Sequence, residues 1–126
     1  MLHENLTERI LKACFDVAAE LGAGFLESVY QKALMVALEQ DGLNVKMEVP
    51  LRVKYRNIVV GEFYADLLVE EKIIIEIKTA KDIASEHQAQ VINYLKGTGI
   101  EVGLLVNFGS PRLQYKRLER RLDFHE

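Results

Sequence analysis

The spacing of apolar residues predicts two helices at the start of the chain. Apolar side chains recur every three or four positions from residue 6 to residue 21, and Asn5 with Glu8 fits a capping box before that stretch. Gly22 follows and is expected to end the helix, because glycine readily adopts positive φ. A second helical pattern covers residues 25–40. The chain is therefore expected to begin with a pair of helices.

The next segments alternate between apolar and polar residues, which is typical of β-strands. Residues 45–55 alternate throughout, and Pro50 within them favours an edge strand because proline cannot donate a ladder hydrogen bond. Two further strands are predicted at residues 59–69 and 73–79, with only the charged residues 70–72 between them. So short a connection predicts that these two strands pair antiparallel.

The last part of the chain adds one helix and at least one strand. Ser85 and Gln88 fit a second capping box, which predicts a third helix from there to about residue 96. Residues 101–108 are rich in Val and Leu and predict a buried strand, whereas the basic residues 111–121 fit either a short strand or a short helix. The order α-α-β-β-β-α-β predicts one mixed α/β (α+β) domain over residues 1–126.

Composition narrows the class of protein. The chain of 126 residues is 49% hydrophobic and 28% charged, as is usual for a soluble globular domain. No apolar run approaches the roughly 20 residues of a membrane span, and no secretion signal is recognised, so we expect a cytoplasmic location. A lone Cys14 excludes an internal disulfide and fits the apolar stripe of the first helix. The net charge of −3 gives no overall attraction to nucleic acid.

Two opposite charges interrupt the apolar strand at residues 73–79. Side chains alternate between the two faces of a strand. Glu76 and Lys78 are therefore expected to share one face, whereas Ile75 and Ile77 occupy the other. A strand that is otherwise typical of a protein core thus carries a carboxylate and an amine on the same side.

The turn before this strand decides which residue faces Glu76. A three-residue turn at 70–72 pairs Val69 with Ile73 and, counted outward, sets Asp66 opposite Glu76. Two facing carboxylates repel each other, and burying one without a partner costs several kcal/mol. Two arrangements would compensate: an ion-pair network at the end of the sheet that includes the neighbouring lysine, or a divalent cation such as Mg²⁺.

Polar residues on two helices extend this cluster. Glu27 lies within the apolar arc of the second helix, although the helix dipole also favours a carboxylate in a first turn. Gln90 and Tyr94 are one turn apart in the third helix, and His87 precedes them by one turn. Such side chains are also ordinary on a partly exposed helix, and His87 is assigned a supporting position at most.

These residues, in this order and on these elements, resemble the pattern of the PD-(D/E)XK nuclease superfamily. The residues that carry the resemblance are Glu27, Asp66, Glu76, Ile77, Lys78, Gln90 and Tyr94. The resemblance extends from the second helix to the strand at 101–108. It implies a restriction-endonuclease-like core with the order αβββαβ and a mixed central sheet flanked by helices. Ala65 stands where the superfamily name has proline.

A second, shorter pattern points to a particular branch of the superfamily. The stretch from Gly24 through Glu27 to Tyr30 is similar to the signature of the small GxxExxY family. That likeness adds weight to the assignment because it involves a different part of the chain from the strand carboxylates.

The resemblance implies a metal-dependent nuclease. Asp66 and Glu76 would bind Mg²⁺ or Mn²⁺ together with the backbone carbonyl of Ile77, and Glu27 would position that ion or a second one. Lys78 would orient or deprotonate the attacking water. The polar pair of the third helix would brace the site or touch the substrate.

The expected substrate is nucleic acid, with DNA favoured. A homodimer or larger complex suits so small a domain, which offers little surface for sequence recognition. Basic side chains available for a local binding surface are Lys54, Arg56, Arg112, Lys116, Arg117, Arg120 and Arg121, although the C-terminal ones fit an ordinary solvated face equally well. Two alternatives stay open: a catalytically inactive nuclease-fold module that binds nucleic acid or a protein, and a structural subunit whose buried charges specify packing.

Overall fold

The computed structural model describes residues 2–120, which are organised around one five-stranded sheet. The elements in chain order are α1 (Glu4–Leu21), α2 (Glu27–Gln40), β1 (Val45–Tyr55), β2 (Ile58–Val69), β3 (Ile73–Lys78), α3 (Ser85–Thr98), β4 (Val102–Asn107) and β5 (Gln114–Glu119). The strands lie in the order β1-β2-β3-β4-β5, and only β3 and β4 are parallel neighbours. None of the helices described has the combination of length and apolar character that crossing a bilayer requires.

Helices cover both faces of this sheet. On one face, α1 and α2 pack against Ile73, Ile75 and Ile77 of β3. On the other face, α3 packs through Val91 and its neighbours against the alternate residues of the same strand. The central strands β3 and β4 are buried almost throughout, which explains their continuous apolar sequences. This mixed sheet flanked by helices confirms the predicted fold class.

The boundaries of the strands agree with the sequence pattern better than the helix caps do. β1 has the predicted bounds, and Pro50 lies on an edge strand as expected. The predicted cap at Asn5 is wrong, because α1 already begins at Glu4 and a backbone hydrogen bond from Thr7 N–H to His3 O closes its first turn at 2.9 Å. The basic segment after β4 forms a strand, β5.

The start of α3 is also displaced by one residue from the prediction. Ser85 is the first helical residue and Ala84 occupies the cap position. Alanine has no acceptor to offer, and His87 Nδ1 instead accepts a hydrogen bond from Ala84 N–H at 3.1 Å. His87 therefore holds the beginning of α3.

The pairing of β2 with β3 follows the predicted register only in part. Val69 pairs with Ile73, which confirms the three-residue turn, but the ladder ends at Leu67 with Ile75. Asp66 is therefore not in a ladder pair with Glu76, and the predicted direct opposition is wrong. The carboxylate Oδ2 of Asp66 instead accepts a hydrogen bond from the Ile77 N–H at 2.7 Å.

An irregularity in β1 and β2 explains why the ladder stops. Leu67 packs beneath α1 and α2, whereas Ala65 packs beneath α3. Residues two apart on a regular strand share a face, so β2 turns over at Asp66. Glu48 of β1 lies at the same level and has a left-handed backbone with φ of 55°. Because the faces of β2 switch at this residue, the Asp66 side chain does not stand on either face of the sheet. It reaches across to β3 instead.

A buried asparagine fixes the loop that follows β3. Asn107 is fully buried at the end of β4, and its side chain bonds both backbone groups of Ala80, each at 2.9 Å. The same amide donates to Gln114 Oε1 at 3.0 Å. A Cβ atom at Gly109 would lie 2.4 Å from Ala80 O, so only glycine fits there. The chain direction immediately after Lys78 is therefore fixed.

Replacing this asparagine should destabilise the fold. Asn107→Ala leaves buried backbone groups of Ala80 without partners and is expected to lower the free energy of unfolding by about 2–4 kcal/mol. Urea unfolding followed by circular dichroism measures the change. Asn93→Ala, at an exposed position of α3, is the control and should change the value by less than about 0.5 kcal/mol. Equal losses in both variants would contradict this account of the loop.

Candidate active site

Asp66 lies where β2 separates from β3, and both its side chain and its backbone are bonded. The carboxylate accepts the Ile77 N–H, and the carbonyl oxygen of Asp66 accepts a hydrogen bond from Gln31 Nε2 at 3.0 Å. Burial raises the pKa of Asp66, the bond from Ile77 N–H opposes that increase, and the charges of Glu27 and Glu48 add to it. Asp66 is thus held rigidly in a partly desolvated position.

Glu76 is the most unusual group of the site because it is a buried carboxyl group with one oxygen that has no partner among the described residues. It lies on the α3 side of β3, and only 6% of its surface is exposed. Among the residues described, Oε1 of Glu76 has no hydrogen-bond partner. Burial raises the pKa of Glu76 to about 8, the charge of Asp66 contributes further, and Lys78 opposes the increase. Without a cation, Glu76 is therefore largely protonated at neutral pH, and its ionised form lacks full compensation from the described residues.

Lys78 stands close enough to influence both carboxylates but does not pair with either. Its charge opposes the increase in the pKa of both Asp66 and Glu76. Within residues 2–120, no ion pair shorter than 4.0 Å includes any of the three, and the pairs that occur lie elsewhere on the protein. The described residues therefore do not form the ion-pair network that would have explained these charges structurally.

The loop between α1 and α2 brings Glu27 to the same region. Gly24 has φ of 115°, a conformation that favours glycine, and the fully buried Tyr30 donates its hydroxyl hydrogen to Gly22 O. The same hydroxyl accepts a hydrogen bond from Phe25 N–H at 3.2 Å. These contacts fix the start of α2, whose first residue is Glu27. The glycine, glutamate and tyrosine of the G-x-x-E-x-x-Y stretch thus act as one structural unit.

Glu27 is exposed rather than inserted into the core. Its charge contributes to the raised pKa of Asp66 and, more weakly, of Glu76, so it lies near both carboxyl groups. The predicted inward orientation within the apolar arc is wrong, because Glu27 is exposed to solvent.

Gln31 is a member of the site that the sequence patterns did not single out. It lies one turn after Glu27 on α2 and only 7% of its surface is exposed. Its Nε2 donates to Asp66 O at 3.0 Å and lies 3.3 Å from Glu48 Oε1. Its spacing of four residues from Glu27, on the same arc, is the signal that would have identified it. Glu48 had no comparable signal, because it alternates as an ordinary polar residue of β1.

The third helix closes the site through Tyr94. This residue is buried, and its ring stacks on Phe63 of β2 with the ring centroids 3.9 Å apart. Burial raises the pKa of Tyr94 to about 12, the charges of Glu76 and Asp66 add to the increase, and Gln90 opposes it. Tyr94 therefore lies near the two strand carboxyl groups, and Gln90 is hydrogen-bonded to it.

The group of donors suits a small hard cation. Asp66 and Glu76 offer carboxylate oxygens, and Ile77 lies between them. The N–H and C=O groups of one residue in an extended strand point to the same side, so the Ile77 carbonyl faces the gap that holds Asp66. Mg²⁺ needs only one or two carboxylates because it retains several waters. The unpartnered oxygen of Glu76 is the observation that fits such an ion.

Glu27 does not complete a cluster of three ligands. In the part of the chain described, no three side chains of His, Cys, Asp or Glu lie together closely enough to hold a metal ion. Direct binding of Glu27 to the same ion as Asp66 and Glu76 therefore requires movement of its side chain or an intervening water.

The raised pKa of Glu76 makes stability depend on pH. A carboxyl whose folded-state pKa is about 8, against 4.5 when unfolded, favours the fold when protonated. That contribution is complete below pH 4.5 and is lost as the pH rises through 8. In a chelating buffer, Glu76→Gln should therefore exceed the wild type in stability by roughly 5 kcal/mol at pH 9 and by about 1 kcal/mol at pH 5.

Urea unfolding at a series of pH values measures this difference. Glu86→Gln, at an exposed position in the first turn of α3, is the control and should follow the wild-type profile. Millimolar Mg²⁺ should stabilise the wild type at pH 9 and leave Glu76→Gln unchanged, because a bound cation would compensate the ionised carboxylate. A wild-type profile parallel to that of Glu76→Gln would contradict the desolvation of Glu76.

Removal of Gln31 should release the Asp66 backbone. Gln31→Ala leaves the carbonyl of Asp66 without its donor and is expected to lower the free energy of unfolding by about 1–3 kcal/mol. Gln40→Ala, at an exposed position at the end of the same helix, should change it by less than about 0.5 kcal/mol. If the two variants are equally stable, the Gln31 amide does not support the site.

Comparison with known proteins agrees with this geometry. The family model of the PD-(D/E)XK nuclease superfamily matches residues 4–118. A solved structure described as "Crystal structure of SSO0001" is similar, with a TM-score of 0.57 and 22% sequence identity, which supports the fold alone. The match covers 96% of this chain and 61% of the other. No curated protein matches the sequence significantly. The chain belongs to the PD-(D/E)XK nuclease superfamily.

Proposed function

We propose that this protein is a nuclease that hydrolyses phosphodiester bonds with the help of Mg²⁺ or Mn²⁺, and that DNA is its substrate. The observation that supports this most directly is the buried Oε1 of Glu76, which has no hydrogen-bond partner among residues 2–120, while the nearby Lys78 forms no ion pair within the same range. A purely structural cluster would be expected to satisfy such a group. A cation and a substrate phosphate would satisfy it together.

In this proposal, each side chain of the site has a distinct role. Asp66 and Glu76 hold the ion together with the carbonyl of Ile77. When bound, the ion polarises the scissile phosphate and lowers the pKa of a coordinated water. Lys78 places a fixed positive charge beside the phosphate and orients the attacking water. Glu27, on the open side, positions water or a second ion.

The residues of α3 act next to this centre. Gln90 and Tyr94 brace the carboxylates from the helix side, and the hydroxyl of Tyr94 stays protonated because its pKa is raised to about 12. It is therefore a hydrogen-bond donor rather than a base at neutral pH.

Membership of the GxxExxY branch is part of the proposal. Its support is that Gly24 and Tyr30 fix the loop which presents Glu27 to the strand carboxylates. A cytoplasmic location, a single domain and a homodimer or larger complex stay predictions from the sequence.

Substitutions at the site should separate metal binding from catalysis. Asp66→Asn and Glu76→Gln keep the shape of the side chains but weaken the binding of Mg²⁺, and each should reduce DNA cleavage at least about 100-fold. Lys78→Ala should reduce cleavage to a similar degree while Mg²⁺ still binds. Calorimetric titration with Mg²⁺ or Mn²⁺, and cleavage of linear, nicked, branched and single-stranded DNA, measure the two effects.

Matched controls come from exposed residues near the site. Lys81→Ala lies in the loop after β3, and Glu86→Gln lies at the start of α3; both should retain cleavage. If the protein binds metal but cleaves no substrate, it is an inactive binding module with the nuclease fold, and the proposed nuclease activity is wrong. If no divalent ion binds at millimolar concentration, the buried charges serve packing and the proposal fails.

A further inference from the structure

A cleft of about 550 Å³ lies between the β1–β2 hairpin and α3. We call it the hairpin cleft. Its lining residues are Val53, Lys54, Phe63, Gln90, Asn93, Tyr94, Lys96 and Gly97. Gln90 and Tyr94 also belong to the candidate active site, so the cleft begins where that site ends.

One end of the hairpin cleft is narrowed by a close approach of the helix to the hairpin. A Cβ atom at Gly97 would lie 2.8 Å from Cγ2 of Val53. Real Cβ atoms do not approach so closely, so the absence of a side chain at Gly97 allows α3 to touch β1 here. The cleft is consequently an open groove that is narrowed where Gly97 meets Val53.

The wall nearest the active site is aromatic. Phe63 and Tyr94 stack with an angle of 16° between their rings, and both line the cleft. The charges of Glu76 and Asp66 raise the pKa of Tyr94, so this end of the wall is near the strand carboxyl groups. The pair is therefore a rigid apolar surface adjoining the carboxylates.

The rim of the hairpin cleft is basic, although the chain has a net charge of −3. Lys54 projects from β1 and Lys96 from α3, so the two amines come from the two sides of the cleft. Both are exposed, and no ion pair within residues 2–120 involves either of them. Among residues 2–120, no acidic residue lines the cleft. The rim thus suits a phosphate group.

We propose that the hairpin cleft receives an unpaired nucleotide next to the phosphate that is cut, which makes a single-stranded segment the preferred substrate. This inference rests on the nuclease function proposed above. Lys54 and Lys96 contact the flanking phosphates, and the base lies against the Phe63 and Tyr94 wall, with Asn93 available to hydrogen-bond it.

The size and shape of the hairpin cleft favour an unpaired nucleotide over a duplex. A volume of about 550 Å³ falls in the range of pockets that enclose a small ligand. A base within a duplex is stacked on its neighbours and paired, so its face is not free to lie against an aromatic wall, whereas the face of an unstacked base is. The substrate would be a single strand, or a frayed or branched end.

Binding measured without cleavage tests this inference separately from catalysis. In a chelating buffer, labelled single-stranded DNA, single-stranded RNA and a blunt DNA duplex are titrated with protein by fluorescence anisotropy. The single strands should bind at least about tenfold more tightly than the duplex, because only an unstacked base has a face free for the aromatic wall. DNA and RNA strands share the phosphates and bases, and the comparison between them identifies which sugar is preferred.

Substitutions of the rim and the wall assign the binding to the hairpin cleft. Lys54→Ala with Lys96→Ala should weaken single-strand binding at least about tenfold and reduce the salt slope by roughly 1.4, the value for two phosphate contacts. Phe63→Leu should weaken it about tenfold without changing that slope. Lys12→Ala with Lys72→Ala removes the same charge elsewhere and should leave affinity and slope unchanged. Urea unfolding verifies that each variant is folded.

Two results would overturn the inference. One is that the variant with Lys54→Ala and Lys96→Ala binds single-stranded DNA as tightly as the variant with Lys12→Ala and Lys72→Ala. The other is a duplex that binds as tightly as the single strand. The nuclease proposal fails differently, through absence of cleavage by the wild type with Mg²⁺ or Mn²⁺, and that result leaves the anisotropy comparison intact.

Discussion

The burial of Glu76 beside Asp66 is the constraint on which the rest of the site depends. Moving a carboxylate out of water is unfavourable unless a cation or hydrogen-bond donors compensate it, and a second carboxylate nearby makes it more so. The protein offers only partial relief: Asp66 takes the N–H of Ile77, while Oε1 of Glu76 takes nothing within the described residues. Lys78 is close, but within residues 2–120 it forms no ion pair. The fold therefore favours the protonated form of Glu76, and a divalent cation would compensate the ionised form.

Several features of the fold maintain this arrangement. The ladder between β2 and β3 stops after Leu67, and the turn-over of β2 at Asp66 converts a sheet residue into a side chain that bridges two strands. Gln31 then occupies the carbonyl of Asp66, and Glu48 contributes to the same contact. Each of these contacts keeps Asp66 from relaxing toward solvent. Rigid placement of ligands by packed neighbours is what pre-organised metal sites require.

Periodicity in the sequence predicted most of the fold, since it reports which face of a regular element is buried. The bounds of β1 and the turn at 70–72 followed directly from alternation and charge. The alternation of side chains between two faces failed at Asp66 because it assumes a regular strand. The left-handed backbone of Glu48, in the neighbouring strand, breaks that regularity, and the sequence has no glycine there that would have indicated it. The predictions of the caps of α1 and α3 were wrong because other groups supply the hydrogen-bond acceptors there. The backbone carbonyl of His3 accepts in α1, and the His87 side chain accepts in α3.

The residues of the site could be predicted from the sequence, but their arrangement in space could not. Residue types carry chemistry, so a strand with Glu76 and Lys78 among isoleucines indicates a functional site wherever the side chains finally point. The position of Gln31 depends on how α2 crosses the turned-over part of β2, which is a tertiary property. Its role therefore needed coordinates, although its spacing from Glu27 was visible.

The distribution of basic residues shows why the net charge of −3 is a poor guide to the binding surface. Lys54 and Arg56 belong to the β1 edge of the sheet, whereas the basic residues of β5 lie at the opposite edge. There, Arg117 pairs with Glu119, so part of that charge is already compensated. The basic residues of the two edge strands are therefore separated by the width of the five-stranded sheet, and Arg121 lies outside the described residues. Attraction for phosphate would therefore arise locally, where Lys54 meets Lys96 from α3 beside the carboxylates that would carry the metal.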